Sequence, residues 1–157
     1  SQHRNANFVI LGTGDKSIEN ALRSVAERHP HNVACMLEYN EAVSHKVYAG
    51  ADFILMPSRV EPCGLNQMFA MRYGTLPIVR STGGLYDSVR DISEPGGVGF
   101  RFDSMNFDQM IHAIWRAYDL YQHPEYKNIC IERAMKLDFS WNSSAQKYKE
   151  IYEYILK

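Results

Sequence analysis

The sequence carries almost no excess charge of either sign. Its 17 lysines and arginines stand against 18 aspartates and glutamates, a formal net charge of −1, so no basic field marks it for nucleic acid. Cysteine is scarce. Cys35, Cys63 and Cys130 are odd in number and far apart, which argues against a disulfide framework and for a reducing compartment. The six histidines are scattered, with no pair at zinc-finger spacing; no metal site and no cofactor is expected. No apolar run is long enough to span a membrane. The opening SQHRNANFVIL is polar and passes straight into a strand, so no signal peptide is expected. Repeats, low-complexity tracts and linkers are lacking too. What remains, at 45% apolar residues, is the composition of a soluble globular protein with a real core, read as one compact unit over 1–157.

Within that unit, short apolar runs alternate with helical patterns. NFVILGTGD reads as a strand ending in a glycine turn, followed by a helix over SIENALRSVAERHP capped by Asp15 or Ser17. NVACMLEY, ADFILMPS, LPIVR and GVGFRF are further strands. Helices over NEAVSHKVYAG, CGLNQMFAMRYG and LYDSVRDI separate them. Strands alternating with single helices imply βαβ crossovers and a parallel sheet. Runs such as FVIL, FILM and PIV are apolar on both faces, which predicts a doubly wound sheet with helices on both sides. The last third is helical. Met110, Ile111, Ile114, Trp115, Tyr118 and Tyr121 share one face, Pro124 breaks the run, and Ser140 can cap a final helix. The stripe Ala145, Tyr148, Ile151, Tyr152 and Ile155 on that helix reads as core-facing.

In open parallel sheets, ligands bind beyond the carboxyl ends of the strands. The turns GTGD, EPCG and STGG all lie on that edge. CGLNQ opens a helix whose first N–H groups lack internal partners and carry partial positive charge, a phosphate-binding arrangement. Gly64 lets the backbone approach closely, and TGG can act in the same way. Glu61 beside a phosphate site makes electrostatic sense only if its lone pairs accept from hydroxyls, as a sugar would provide. Plainer readings stand beside these. Gly12 and Gly14 lack the third glycine of a dinucleotide fingerprint and can be an ordinary tight turn. Tyr39 can be a boundary tyrosine, and Cys63 a small buried hydrophobe with no activated thiolate beside it. Asp52 and His45 read as a turn residue and a surface or packed histidine.

The block ADFILMPSRVEPCGLNQMFAMRYGTLPIVRSTGGLYDSV, from Ala51 to Val89, strongly resembles the signature of bacterial glycogen synthases and plant starch synthases. LGTGD, YNEAVSHKVYAGAD, GVGFRF and MKLDFSWNSSAQKYKEIY resemble further stretches of the same family. These are retaining glycosyltransferases of two Rossmann-like domains, a GT-B arrangement, and nearly all of this chain is similar to the C-terminal, donor-binding one. The resemblance implies transfer of glucose from ADP-glucose or UDP-glucose to the non-reducing end of an α-1,4-glucan. It implies that Glu61, the catalytic-site candidate, holds the donor glucose. Cys63, Gly64, Leu65 and Asn66, with Thr82, Gly83 and Gly84, would line the sugar and diphosphate. Tyr39 would lie against the base, and the Gly12–Gly14 turn would border the nucleotide. Members of the wider fold often carry a second glutamate for the ribose, at the place of Phe69 here; glycogen and starch synthases commonly have an aromatic there.

The family's acceptor-side domain, its lysine-bearing glycine loop and its arginine–lysine clamp on the diphosphate lie outside this sequence. So does the donor domain's first strand–helix unit. The expectation is therefore a truncated donor domain, inactive alone and prone to self-association, from a bacterial cytoplasm or, in a plant, a plastid stroma. A stand-alone nucleotide- or sugar-binding module, and another retaining glycosyltransferase of the same fold, are the alternatives.

Overall fold

The computed structural model describes residues 6–156 of the 157. Chain contacts divide it into two compact units, Ser1–Val47 and Tyr48–Lys157.

In the first unit, β1 (Phe8–Leu11) runs parallel to β2 (Val33–Met36), with Phe8 opposite Val33 and Leu11 opposite Met36. The crossover between them is α1 (Lys16–Arg28). Asp15 is its cap: the carboxylate accepts from the N–H groups of Ser17 and Ile18. This satisfies donors that the first helical turn leaves open. Glu19 is buried and accepts from Gly14 N–H (3.0 Å) and Lys16 Nζ (2.7 Å). Those two bonds, Lys16's first, hold its carboxyl below the ordinary glutamate range. Contrary to the expectation of a strand covered on both faces, Phe8 and Val9 remain 49% and 58% exposed.

Helix α2 (Glu41–Gly50) crosses the unit boundary along the chain. The second unit then holds β3 (Phe53–Met56), α3 (Asn66–Tyr73), β4 (Leu76–Arg80), α4 (Gly83–Ser88) and β5 (Phe100–Phe102). Helices α5 (Phe107–Tyr121), α6 (Pro124–Lys136) and α7 (Trp141–Ile155) follow. The strands lie in the order β3-β4-β5, all parallel. The alternation of strand and helix thus produces parallel pairing throughout, hydrogen-bonded as one two-stranded and one three-stranded set. β4 is central, and Leu76, Pro77, Ile78 and Val79 are all buried. Met71 of α3, Leu85 and Val89 around α4, and Phe100 of β5 close over it with 0–1% exposure. Leu, Val and Phe side chains buried in this way each contribute about 1.5–3 kcal/mol.

The helical third departs from its sequence reading in three places. α5 buries Ala113, Ala117 and Leu120 most deeply; of the predicted face, Met110 and Ile114 pack against the core, while Trp115 and Tyr121 stay 45% and 46% exposed. Small alanines let the helix approach the sheet, and the large rings flank the contact. Pro124 does not merely break a run: it occupies the first turn of α6, where no backbone donor is lost. α7 is capped by Ser140, whose hydroxyl accepts from Ser143 N–H. However, none of its described residues is buried, and Tyr148, Tyr152 and Ile155 are 60–69% exposed. A stripe reports that a helix is amphipathic, not that this chain holds the surface to cover it.

One buried carboxylate ties the β5 edge together. Asp91, 6% exposed, accepts from Arg116 at 2.5 and 3.2 Å, from Ser93 N–H and Oγ, and from Arg101 N–H. Burial alone raises its pKa. The Arg116 guanidinium, aided by the Ser93 and Arg101 donors, outweighs that and holds the carboxyl well below the usual aspartate range. A depressed folded-state pKa means the stabilisation is complete above the unfolded value, near 4, and drains away as pH falls below it. Asp91→Asn is expected to cost about 3 kcal/mol at neutral pH. It should also flatten the loss of stability between pH 5 and pH 3, read as chemical-denaturation midpoints at each pH. An equal slope in the variant would remove Asp91 from that role.

Candidate functional site

The segment 57–65 joins β3 to α3 without regular structure, yet most of its carbonyl groups accept hydrogen bonds. Arg80, at the carboxyl end of β4, donates Nε to Ser58 O (2.8 Å) and Nη2 to Arg59 O. Gly84 N–H donates to Glu61 O (3.0 Å). Gln67 Nε2 donates to Cys63 O (3.3 Å) and Gly64 O (2.9 Å). Phe69 N–H donates to Leu65 O (3.0 Å).

Planarity of the peptide unit turns this into a statement about donors. In a trans peptide the N–H of one residue points opposite to the C=O of the residue before it. No described peptide bond is cis. With the carbonyls of Cys63, Gly64 and Leu65 directed at the protein body, the N–H groups of Gly64, Leu65 and Asn66 point away from it. They meet no acceptor among the described residues. These three successive donors lead into α3, whose N-cap, Leu65, supplies no side-chain cap. The helix therefore adds its own open amides and partial positive charge at the same place. The arrangement suits an anion with several oxygens.

Gly83 and Gly84 answer a different demand from the one the sequence suggests. A Cβ on Gly84 would lie well inside 3.0 Å of the Cys63 carbonyl, and one on Gly83 would do the same at the Glu61 carbonyl. Gly83 also has φ +45, a region that costs other residues strain. Both glycines make room for the neighbouring turn, and the Gly84 N–H is spent on Glu61. Gly64, at φ +70, faces Gln67: a Cβ there would meet Oε1 at 2.6 Å.

The structure thus brings Glu61 and Cys63 against Gly83 and Gly84, and Gly64, Leu65 and Asn66 follow Cys63 directly along the chain into α3. Glu61 Oε2 accepts from Ser58 Oγ at 3.3 Å. Cys63 is exposed, which corrects its reading as a buried hydrophobe. Gly12, Gly14 and Tyr39 belong to the other unit. There Gly12 N–H bonds Met36 O (3.2 Å), Gly14 N–H bonds Glu19, and Tyr39 is 86% exposed. Arg80, Gln67, Ser58 and Ser88 hold the turn in shape without having been singled out. The one available hint was an arginine and a glutamine in otherwise apolar, buried surroundings. A cavity of about 550 Å³ elsewhere in the second unit, lined by Trp115, Arg116 and Tyr126 among others, contains none of the candidate residues. Among the described residues no group of His, Cys, Asp and Glu could hold a metal ion, and no helix is long and apolar enough to cross a membrane.

A family model described as glycosyl transferases group 1 matches residues 1–137. The chain belongs to that family. It is 46% identical over 152 residues to a glycogen synthase of Geobacillus thermodenitrificans, covering 96% of this chain and 31% of that protein. It is 43% identical over 156 residues to a glycogen synthase of Clostridium perfringens, with 98% and 32% covered. Among solved structures, the catalytic domain of starch synthase IV from Arabidopsis thaliana, bound to ADP and acarbose, superposes with a TM-score of 0.83 at 38% identity. That match covers 94% of this chain and 32% of that one. A sucrose-phosphate synthase from Thermosynechococcus elongatus shares the fold, with a TM-score of 0.64 at 21% identity over 94% of this chain and 38% of that one. This group 1 chain spans about a third of the length of the curated relatives it matches. The parallel α/β architecture with C-terminal helices is that of the GT-B C-terminal domain.

The glycine contacts predict unequal sensitivity. Gly84→Ala should cost about 1–3 kcal/mol, because the added methyl must push a carbonyl-bearing turn. Gly14→Ala, where nothing lies within 4 Å, should stay within about 0.5 kcal/mol. Equal denaturation midpoints for the two variants would show that the turns are not packed as described.

Proposed function

We propose that this chain supplies the donor-binding half of an α-glucan synthase, a retaining transferase that moves glucose from a nucleoside diphosphate sugar to the non-reducing end of an α-1,4-glucan. One observation carries the reading: the carbonyls of Cys63, Gly64 and Leu65 are all bonded inward, so three amides face outward at an uncapped helix start. In this reading Gly64, Leu65 and Asn66 hold the diphosphate, with Cys63 and the Thr82–Gly84 turn beside them. Glu61 accepts from the donor sugar's hydroxyls. A bare carboxylate next to a diphosphate would repel it. One saturated by sugar hydroxyls instead fixes the ring while the glucosyl–phosphate bond breaks.

The acceptor hydroxyl bonds to the anomeric carbon on the face the diphosphate leaves, and its proton passes to a donor phosphate oxygen. The configuration is retained without a protein nucleophile. Backbone donors aimed at the leaving diphosphate stabilise charge that develops only as the bond breaks. The ADP bound to the starch synthase IV relative favours ADP-glucose over UDP-glucose. The nucleotide-side roles of Gly12, Gly14 and Tyr39 rest on family resemblance. The relatives named glycogen synthase come from bacteria, which favours a bacterial cytoplasm.

In the whole enzyme, Glu61→Ala is expected to raise the barrier by about 1.5–3 kcal/mol or more, read as kcat/KM for ADP-glucose. The unfolding free energy should move by less than about 1 kcal/mol, because Glu61 packs little. A collapse in stability with normal turnover in the folded fraction would make Glu61 structural.

This chain alone should transfer no glucose from ADP-glucose to glycogen, since a half-walled cleft leaves the donor in water with its charges screened. It should still bind ADP more tightly than UDP by calorimetry. Robust transfer by the purified chain would reject the half-site reading, and failure to bind either nucleotide would reject the donor site.

A further inference from the structure

Gln67 is 0% exposed and sits in the first turn of α3. Its Nε2 donates one N–H to Ser88 Oγ on α4 at 3.0 Å and shares the other between Gly64 O and Cys63 O. Ser88 Oγ in turn donates to Gly84 O at 2.5 Å. The amide orientation follows from these partners, because the reversed amide would aim its oxygen at two carbonyls. Oε1, by contrast, is buried with no partner among the described residues. The bonding of this side chain is thus concentrated on Nε2. One side-chain nitrogen bonds the Cys63–Gly64 turn directly and reaches Gly84 through the Ser88 hydroxyl, and the turn it grips is the one whose outward amides form the candidate site.

We propose that Gln67 is a positioning residue for the donor site, with Ser88 completing a relay from the Cys63–Gly64 carbonyls to the first turn of α4. Gln67 touches no donor atom. It holds two carbonyls inward and so keeps the Gly64 and Leu65 N–H groups pointed outward before any ligand arrives. The proposal rests on the reading of those amides as diphosphate donors. Preorganised donors bind more tightly because their ordering is already complete.

The test uses this chain, ¹⁵N-labelled, with ADP as the probe and two readouts. One is the backbone order parameter of the Gly64 and Leu65 amides without ligand. The other is the Kd for ADP. In the unmodified chain the amides should be rigid, with order parameters of about 0.85. In Gln67→Leu they should fall below about 0.6, and the Kd should rise about tenfold, equivalent to about 1.4 kcal/mol. Ser88→Ala should give a smaller change in the same direction, and Ser88→Thr, which keeps the hydroxyl, should restore both values.

A glutamine that only packs would lower the melting temperature and leave the amides rigid. Rigid amides with an unaltered Kd in Gln67→Leu overturn the proposal. If Gln67→Leu does not fold, rigid amides in Ser88→Ala overturn it instead. If the unmodified chain binds no ADP, the donor-site reading fails, and the order parameters still decide whether Gln67 holds the turn.

Discussion

The structure around the candidate site depends on one constraint: the turn ahead of α3 keeps the carbonyls of Ser58, Arg59, Glu61, Cys63, Gly64 and Leu65 bonded. A stretch of irregular backbone packed against a sheet has nowhere to hide unpaired polar groups. This one solves the problem with donors borrowed from three directions. Arg80 reaches from the end of β4, Gly84 N–H from the start of α4, and Gln67 Nε2 from within α3 itself. Each bond that turns a carbonyl inward turns the next N–H outward. The open amides are therefore a consequence of satisfying the turn, not a separate feature added to it. Fold stability and ligand chemistry draw on the same peptide planes.

That coupling explains why the site sits beside the most deeply buried strand. β4 carries Val79, fully buried, next to Arg80, whose guanidinium emerges where the turn passes. A rigid central strand gives the arginine a fixed origin, and the arginine gives the turn a fixed path. Asp91 works comparably at the β5 edge, collecting Arg116, Ser93 and Arg101. In each case a charged group close to the core gathers backbone or side-chain partners. Breaking such a cluster is costly because the remaining partners stay buried.

Much of this is legible in the sequence alone. The alternation of FVIL, VACM, FILM and PIV with helical patterns specified parallel strands, and the position of EPCG ahead of a helix specified an open N-terminus. What the residues could not specify was coverage. The period of YKEIYEYI marks an amphipathic helix, but whether α7 finds a partner depends on surface that its own pattern does not describe, and it stays exposed. The same holds for Phe8 and Val9 of β1. On α5 the alanines, silent in a hydrophobic stripe, set the contact face because their small size permits close approach. Gln67 and Ser88 were illegible for another reason: hydrogen bonds between α3 and α4 join residues 21 apart in sequence, and no local pattern records them.

The glycine pair shows where reading a motif runs out. Sequence reasoning treats glycines ahead of a helix as room for a ligand. Gly83 and Gly84 give room to the Glu61 and Cys63 carbonyls instead. The two demands select the same residue type, so the motif alone cannot separate them. Atoms can: a Cβ at either position collides with backbone, not with open space. Pro62 completes the argument. Glu61 O is bonded inward to Gly84, so the next residue's N–H would point outward, as those of Gly64, Leu65 and Asn66 do. Proline has no N–H to offer. The Glu61–Pro62 peptide therefore offers no outward donor, and the successive amides of Gly64, Leu65 and Asn66 lie beyond it. Along the turn, the Glu61 peptide and the three open amides are thereby set apart by a residue without a donor.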